Sequence, residues 1–321
     1  MPGPAHPNTA ILVAAPGSVG GPWAAAVGTA LPGRPVHVWP DLADKATIGY
    51  ALAWNPPRGL LRSLPNLRAV FSLGAGVDHL VLRDDQPEAP IVRVVNDDLT
   101  RRMSEWVALQ VLIHHRRLRA YDAQRRARQW RELPQPAAGA VRVGIMGMGV
   151  LGGDAAGVLV RLGFDVAGWT RRPRPAGGVR AFHWSGELDA FLARTDILVA
   201  LLPLTPETRG ILAMPLFRKL ARDGALGGPV LINAGRGGLQ VERDIVAALD
   251  EGVLIGASLD VFESEPLAAA SPLWGYDSVT ITPHNAAWSS PEAIVPAIVR
   301  QIVAFEAGAP LGNVIDRAAL Y

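Results

Sequence analysis

The sequence predicts an α/β protein of two modules, each a doubly wound parallel sheet. Three observations carry this. The length, 321 residues, suits two domains. Short β-branched or apolar runs alternate with helical patterns along almost the whole chain, the signature of βαβ units. A glycine-rich turn, Gly147-Met148-Gly149-Val150-Leu151-Gly152, stands where one apolar run gives way to a helical pattern.

In the first hundred residues, strands are expected near Ala10–Ala15, Pro35–Val38, Gly49–Trp54, Arg68–Leu73 and Ile91–Val94. A long helix then starts near Ser104, with Trp106, Leu109, Leu112 and Ile113 as its buried stripe. Its continuation carries Arg116, Arg117, Arg119, Arg125, Arg126, Arg128 and Arg131, and stops before Pro134-Gln135-Pro136. A second series of strands reads Val141–Met146, Asp165–Trp169, Ile197–Leu202, Val230–Asn233, Ile255–Asp260 and Val279–Thr282. A final helix spans about Pro291 to Ala307, and the tail after it is expected to return to the first module.

Composition narrows the function. Apolar residues make up 49% and charged residues 19%, which fits a globular chain and argues against long disorder. With no cysteine, disulfides, thiolate metal sites and cysteine nucleophiles are excluded. The net charge is +2, and Lys45 and Lys219 are the only lysines among 31 basic residues. That arginine bias runs through the whole chain. The Arg116–Arg131 stretch therefore reads as a solvated helical face, and no nucleic-acid partner is expected. No stretch reaches about 18 consecutive apolar residues, and the start lacks the basic flank of a signal peptide, so a cytoplasmic protein with no membrane partner is expected. No HExxH or comparable motif suggests a metal.

The glycine turn is the sharpest motif. It follows the strand Val141–Met146 and opens a helix whose expected apolar face is Leu151, Ala155, Val158, Leu159 and Leu162. Gly147 permits the tight turn, Gly149 lets the backbone approach a pyrophosphate, and Gly152 lets helix and strand pack closely. The helix N–H groups then attract the phosphates, which points to a dinucleotide. An acid at the end of the following strand would bind the adenosine ribose; this chain has Trp169-Thr170-Arg171-Arg172 there. Two guanidiniums and a hydroxyl suit a 2′-phosphate, so NADP(H) is expected over NAD(H), with NAD(H) still possible. One more basic turn in an arginine-rich chain is the alternative.

Three successive strands run into polar residues, at Ala234-Gly235-Arg236, at Asp260 through Glu265, and at His284-Asn285-Ala286. Carboxyl ends of parallel strands are where ligands sit, so Arg236, Glu265 and His284 are expected to converge there. Arg236 offers a planar fork to an α-keto acid's carboxylate and carbonyl. His284 would exchange a proton with the carbonyl oxygen, and Glu265 would orient the ring and favour imidazolium. Singly, Arg236 could cap a helix, Glu265 could be a surface acid and His284 a turn histidine; together the catalytic reading is favoured.

These residues, with Phe71-Ser72-Leu73-Gly74-Ala75-Gly76-Val77-Asp78, Leu202-Pro203-Leu204-Thr205-Pro206-Glu207-Thr208, Asn233–Gly237, Asp260–Leu267 and Thr282–Ala287, resemble the D-isomer-specific 2-hydroxyacid dehydrogenase family. Within it, Ala53-Trp54-Asn55-Pro56-Pro57, Trp169-Thr170-Arg171 and Asn313-Val314-Ile315-Asp316-Arg317 are most similar to the bacterial glyoxylate/hydroxypyruvate reductase A group. The resemblance implies a Rossmann cofactor domain, residues 103–287, inserted in a flavodoxin-like substrate domain, residues 1–102 with a return over 288–321. It implies NADPH-dependent reduction of glyoxylate to glycolate and of hydroxypyruvate to D-glycerate, and a homodimer.

It also implies roles residue by residue. Arg236 would bind substrate, His284 would be the acid/base and Glu265 its partner. Asp260 would hold the nicotinamide carboxamide, and Leu202, Pro203, Leu204 and Thr208 would line the adenosine side. Ala234, Gly235 and Ala286, beside Arg236 and His284, join the cofactor set. Gly74, Ala75 and Gly76 would take the substrate carboxylate, which agrees with the anion-binding nest a glycine-rich strand–helix turn can form. Trp54 would wall the pocket and Trp288 could narrow it. A reductase of a bulkier 2-keto acid, of the D-lactate or phenylpyruvate type, is the alternative in substrate. A non-catalytic nucleotide-sensing protein of the same fold is the alternative in class.

Overall fold

A computed structural model describes residues 9–42, 44–171, 177–184, 186–318 and 320. The chain divides into two compact units, Met1–Leu99 with Ser289–Tyr321, and Thr100–Trp288.

The first unit is a five-stranded sheet: β1 (Ala10–Ala14), β2 (Val36–Val38), β3 (Ile48–Ala53), β4 (Ala69–Ser72) and β5 (Ile91–Val92), in the order β2-β1-β3-β4-β5. All its pairings are parallel, and this is the flavodoxin-like order. β1, β3 and β4 are buried along their whole length, as expected of strands covered on both faces, and their near-continuous apolar runs make them legible in sequence. Helix α1 (Gly20–Ala30) and the short α2 (Asp78–Val81) follow β1 and β4. The C-terminal segment belongs to this unit. Its helix Pro291–Glu306 is tied to the end of α1's loop by a bidentate Arg34–Glu306 pair at 2.7 and 2.8 Å. Val314 then bridges Val92, and Ile315 enters the core.

The second unit begins with α3 (Asp97–His115), whose first turn holds the unit boundary, and α4 (Leu118–Arg126). It continues through β6 (Arg142–Met146), α5 (Val150–Arg161), β7 (Asp165–Thr170), β8 (Arg180–His183), α6 (Leu188–Ala193) and β9 (Ile197–Ala200). The remaining elements are α7 (Met214–Phe217), β10 (Val230–Asn233), α8 (Glu242–Asp250), β11 (Gly256–Leu259) and β12 (Val279–Ile281). The strands pair in parallel in the order β12-β11-β10-β9-β6-β7-β8. This is the Rossmann arrangement with a seventh strand, and its direction of winding reverses between β6 and β9. No helix among the described residues is long and apolar enough to cross a membrane.

Four local expectations need correction. The buried face of α3 is Met103, Trp106, Val107 and Val111, while Leu109 is 52% exposed. At 100° per residue Leu109 lies nearly opposite Val107, and an apolar residue on each side made the stripe ambiguous. Leu162, expected on the buried face of α5, is exposed. The helix runs neither unbroken nor to Pro134: Arg117 adopts a left-handed φ of 56°, and α4 stops at Arg126. There Arg128 is left-handed at φ 54°, its N–H donates to the Arg125 carbonyl, and Gln129 N–H donates to the Gln124 carbonyl. This is the double-bonded helix stop that glycine usually makes; arginine in its place left no stop signal. Finally, β8 was not expected. It is a short edge strand, Arg-Ala-Phe-His, mostly exposed, and its charge masks a strand pattern.

Inside this unit His114 Nε2 lies 2.9 Å from Ser258 Oγ on β11, and its ring packs where a Cβ on Gly256 would fall. Burial, helped by the Arg119 charge, pushes the imidazole down to about 4. The unfolded chain therefore binds a proton that the folded one excludes. The stability this provides is complete above the unfolded value of 6.5 and drains away as pH falls toward 4. Urea midpoints should fall over that window, with His114 contributing up to about 3 kcal/mol, and His114→Gln should flatten the slope. An unchanged slope in that variant would assign the acid loss elsewhere.

Candidate active site

The glycine turn lies between β6 and α5, beside the reversal point of the sheet. Gly147 has φ +103°, and a Cβ there would come within 2.6 Å of the Leu201 carbonyl oxygen at the exit of β9. At Gly152 a Cβ would sit 2.0 Å from the Gly147 carbonyl oxygen. Gly149 is the reverse case: nothing lies within 4 Å of its would-be Cβ. Gly147 thus lets the turn pack against the exit of β9, Gly152 closes it on itself, and Gly149 keeps open the space above it. Gly149 is also the N-cap of α5 and supplies no capping side chain, so the first-turn N–H groups are left for an anion. Met148 is buried, while Val150 and Leu151 begin the helix. The turn fits a dinucleotide diphosphate.

At the end of β7 the structure adds what sequence did not suggest. Trp169 is buried and stacks on Trp184 at 4.2 Å between ring centroids, 18° from parallel. The Arg171 guanidinium lies 4.7 Å from the Trp184 ring centroid and 3.6 Å from Glu207 Oε2. Trp184 N–H donates to the Thr170 carbonyl, joining β8's exit to β7's. None of the described residues that close β7 is acidic; the carboxylate beside Arg171 is that of Glu207, from the loop after β9. Arg172 lies outside the described residues. Leu202 and Leu204 are buried, Pro203 is exposed, and the Thr208 hydroxyl donates to the Pro203 carbonyl at 2.7 Å while accepting the Thr205 N–H at 2.8 Å. That hydroxyl shapes the loop after β9.

Arg236, Glu265 and His284 follow β10, β11 and β12, which are adjacent in the sheet. Asn233, the last residue of β10, accepts the Gly235 N–H at 3.0 Å and so turns the chain through buried Ala234 and Gly235 into Arg236. Asp260, 2% exposed, closes β11. Its Oδ1 accepts from the Thr282 hydroxyl (2.5 Å) and the Asn285 N–H (3.0 Å), and its Oδ2 accepts the Ala286 N–H (3.0 Å). Its backbone carbonyl accepts the His284 N–H at 2.8 Å. These bonds hold His284 at φ +51°, a left-handed conformation that a non-glycine residue rarely adopts outside turns and functional sites.

So presented, His284 Nδ1 lies 2.8 Å from Glu265 Oε2, while Glu265 Oε1 accepts the Phe262 N–H at 3.0 Å. Burial works to raise the Glu265 pKa. The hydrogen bond and charge of His284, the Phe262 N–H and the Arg236 charge outweigh it and hold the carboxyl below its usual range. Glu265 is therefore an anion at neutral pH, with Arg236 close enough to contribute. Among the described residues no group of three or more His, Asp or Glu could hold a metal.

In the first unit, Gly74-Ala75-Gly76 follow β4. The Ser72 hydroxyl lies 2.9 Å from the Gly74 carbonyl and 3.1 Å from the Gly76 carbonyl, folding the turn back on its own strand. A Cβ on Gly74 would press to 2.6 Å from the Trp54 ring, which also meets His79 at 4.5 Å between centroids. His79 was not singled out from sequence; a lone histidine on a short helix gives no signal. Trp288 is 63% exposed.

Comparison with known proteins agrees with this geometry. Residues 108–286 match the family model described as D-isomer specific 2-hydroxyacid dehydrogenase, NAD binding domain. A glyoxylate/hydroxypyruvate reductase A of Serratia proteamaculans is 38% identical over 92% of this chain and 94% of its own length. An NADPH-dependent glyoxylate/hydroxypyruvate reductase of Sinorhizobium meliloti, solved with NADP and sulfate, is 48% identical with a TM-score of 0.91, covering 97% of this chain and all of that one. A probable 2-hydroxyacid dehydrogenase of Rhizobium etli, solved with NADP, HEPES and L(+)-tartaric acid, is 49% identical with a TM-score of 0.92, covering 98% and 100%. With the model matched across more than half its length and such relatives across nearly all of it, the chain belongs to the D-isomer specific 2-hydroxyacid dehydrogenase family.

Proposed function

We propose that this protein reduces small 2-keto acids with NADPH, converting glyoxylate to glycolate and hydroxypyruvate to D-glycerate. One observation carries the reading: an anionic glutamate and a histidine are bonded at 2.8 Å on the exits of neighbouring strands, and an arginine follows the next strand over. The names of the Serratia and Sinorhizobium relatives support the substrate class, and the NADP-bound relatives support the cofactor.

The glycine turn and the first turn of α5 would hold the diphosphate, and Arg171 with Thr170 would hold the 2′-phosphate. Trp184 backs the Arg171 guanidinium. When bound, NADPH supplies the hydride that the keto carbon accepts. The chain's own groups do the rest. Arg236 binds the substrate carboxylate and draws electron density toward the carbonyl oxygen. In the first unit, the Gly74-Ala75-Gly76 turn offers backbone N–H groups suited to a carboxylate. Because Nδ1 of His284 is engaged by Glu265, the proton passes from Nε2 to the carbonyl oxygen as the C–H bond forms. Glu265 stabilises the imidazolium before transfer and fixes the ring afterwards. In the oxidative direction neutral His284 takes the hydroxyl proton. This reading places the enzyme in the cytoplasm as a homodimer; the exposed Leu109, Leu118 and Trp130 on and after α3 and α4 support a partner face there.

NADPH oxidation with glyoxylate, hydroxypyruvate, pyruvate and phenylpyruvate tests the substrate class. The first two should give the highest kcat/KM, and no turnover with any of the four would end this reading. His284→Ala should lower kcat by about 10²–10⁴-fold; near-normal turnover would remove its role.

Arg171→Ala should cut the NADPH-to-NADH ratio of kcat/KM by about tenfold or more while leaving the NADH rate in place. Equal losses with both cofactors would place Arg171 outside the 2′-phosphate site. Gly149→Ala should fold as the parent does, because its Cβ enters open space, yet weaken NADPH by about tenfold or more by calorimetry. Unchanged affinity would mean that the diphosphate does not lie over this turn.

A further inference from the structure

Two buried amides stand behind the catalytic residues. Asn233 is fully buried and Gln240 is 2% exposed. Asn233 Nδ2 donates to Gln240 Oε1 at 2.8 Å and to the Arg236 carbonyl at 3.2 Å. Gln240 Nε2 donates in turn to the Val261 carbonyl at 3.0 Å. The chain of bonds therefore runs from the backbone of Arg236, through both amides, to the segment that carries Glu265.

Two further contacts join the same loops. A Cβ on Gly237 would fall 1.7 Å from the Phe262 carbonyl oxygen, so the two backbones touch where only glycine fits. On the outer side the clasp is reciprocal: the Glu242 N–H donates to Glu263 Oε1 and the Glu263 N–H donates to Glu242 Oε1, both at 2.7 Å. Phe262, held in this contact, is the residue whose N–H binds Glu265 Oε1.

We propose that Gln240 is a positioning residue that, through Asn233 and the Val261 carbonyl, locks the Arg236 loop to the Glu265 loop and so sets the substrate-binding guanidinium in register with the Glu265–His284 pair. The inference rests on the function proposed above for these three residues. Gln240 touches neither Arg236's guanidinium nor the imidazole; it acts by holding backbone. An amide is suited to this because one end accepts while the other donates, and a buried amide with both ends satisfied fixes a single arrangement. Removing it leaves the Val261 carbonyl without its side-chain donor and one Asn233 N–H without its acceptor, and the loops gain freedom to satisfy them otherwise.

The test is Gln240→Met, close in shape but unable to make either bond. Hydrogen–deuterium exchange should quicken by about threefold or more in both 234–238 and 262–265 and stay unchanged in 147–152. With glyoxylate, kcat/KM should fall by about tenfold or more, KM rising through Arg236 and kcat falling through Glu265, while NADPH affinity holds within about twofold. A merely structural role would lower the melting temperature and leave exchange in the two loops and the kinetics at low temperature as in the parent, and that result overturns the proposal.

Should the methionine variant not fold, Asn233→Ser breaks the same chain of bonds at its other amide while keeping an acceptor for the Gly235 N–H. It should quicken exchange in 234–238 and lower kcat/KM by about threefold; parental exchange there equally overturns the lock. A parent chain inactive with every keto acid would defeat the proposed function, while the exchange measurement would still decide the lock.

Discussion

The carboxylate of Asp260 is buried at the end of β11 and accepts three hydrogen bonds from the segment 282–286. Bonds to a charged acceptor contribute about 1.5–3 kcal/mol each, and this carboxylate gathers three donors at once. Together with its own backbone carbonyl, which takes the His284 N–H, it forces the chain leaving β12 to curl back toward β11. His284 sits in that curl at a positive φ. Its ring reaches Glu265 because both segments are anchored to one residue. The histidine's geometry is thus settled before any ligand arrives.

The same economy runs along the sheet edge. β10, β11 and β12 are neighbours, so a parallel arrangement delivers their exits side by side: the Arg236 loop turns on Asn233 from the end of its own strand, and the His284 loop turns on Asp260 from the end of the neighbouring β11. The glycine turn uses the other half of the sheet, where β6 and β9 separate the two directions of winding. Glycine serves two different ends in this unit. At Gly152 and Gly237 it removes a side chain that would collide with backbone carbonyls, and at Gly149 it leaves the space above the turn open.

Much of this was legible because it is local. Fully buried parallel strands are short apolar runs, so β1, β3, β4, β6, β9 and β10 read directly. A strand–GxGxxG–helix sequence carries its own stereochemistry, and Arg236, Glu265 and His284 announce themselves as reactive types at strand ends. Signals failed where local chemistry was atypical. Arg128 ends α4 in the conformation usually left to glycine, β8 is a charged edge strand, and α3 carries apolar residues around more than one face.

Sequence by itself therefore determined most of the elements, the strand–glycine turn–helix unit and the candidate site residues, since each depends on neighbours a few residues away. Only the tertiary structure decided the strand orders, the Trp169–Trp184–Arg171 stack, the Asp260 hub and the Asn233–Gln240–Val261 chain of hydrogen bonds. Those depend on groups that are polar, ordinary in composition and distant in the chain, and a buried amide or carboxylate reveals its partner only when folding has removed the water that would otherwise bind it.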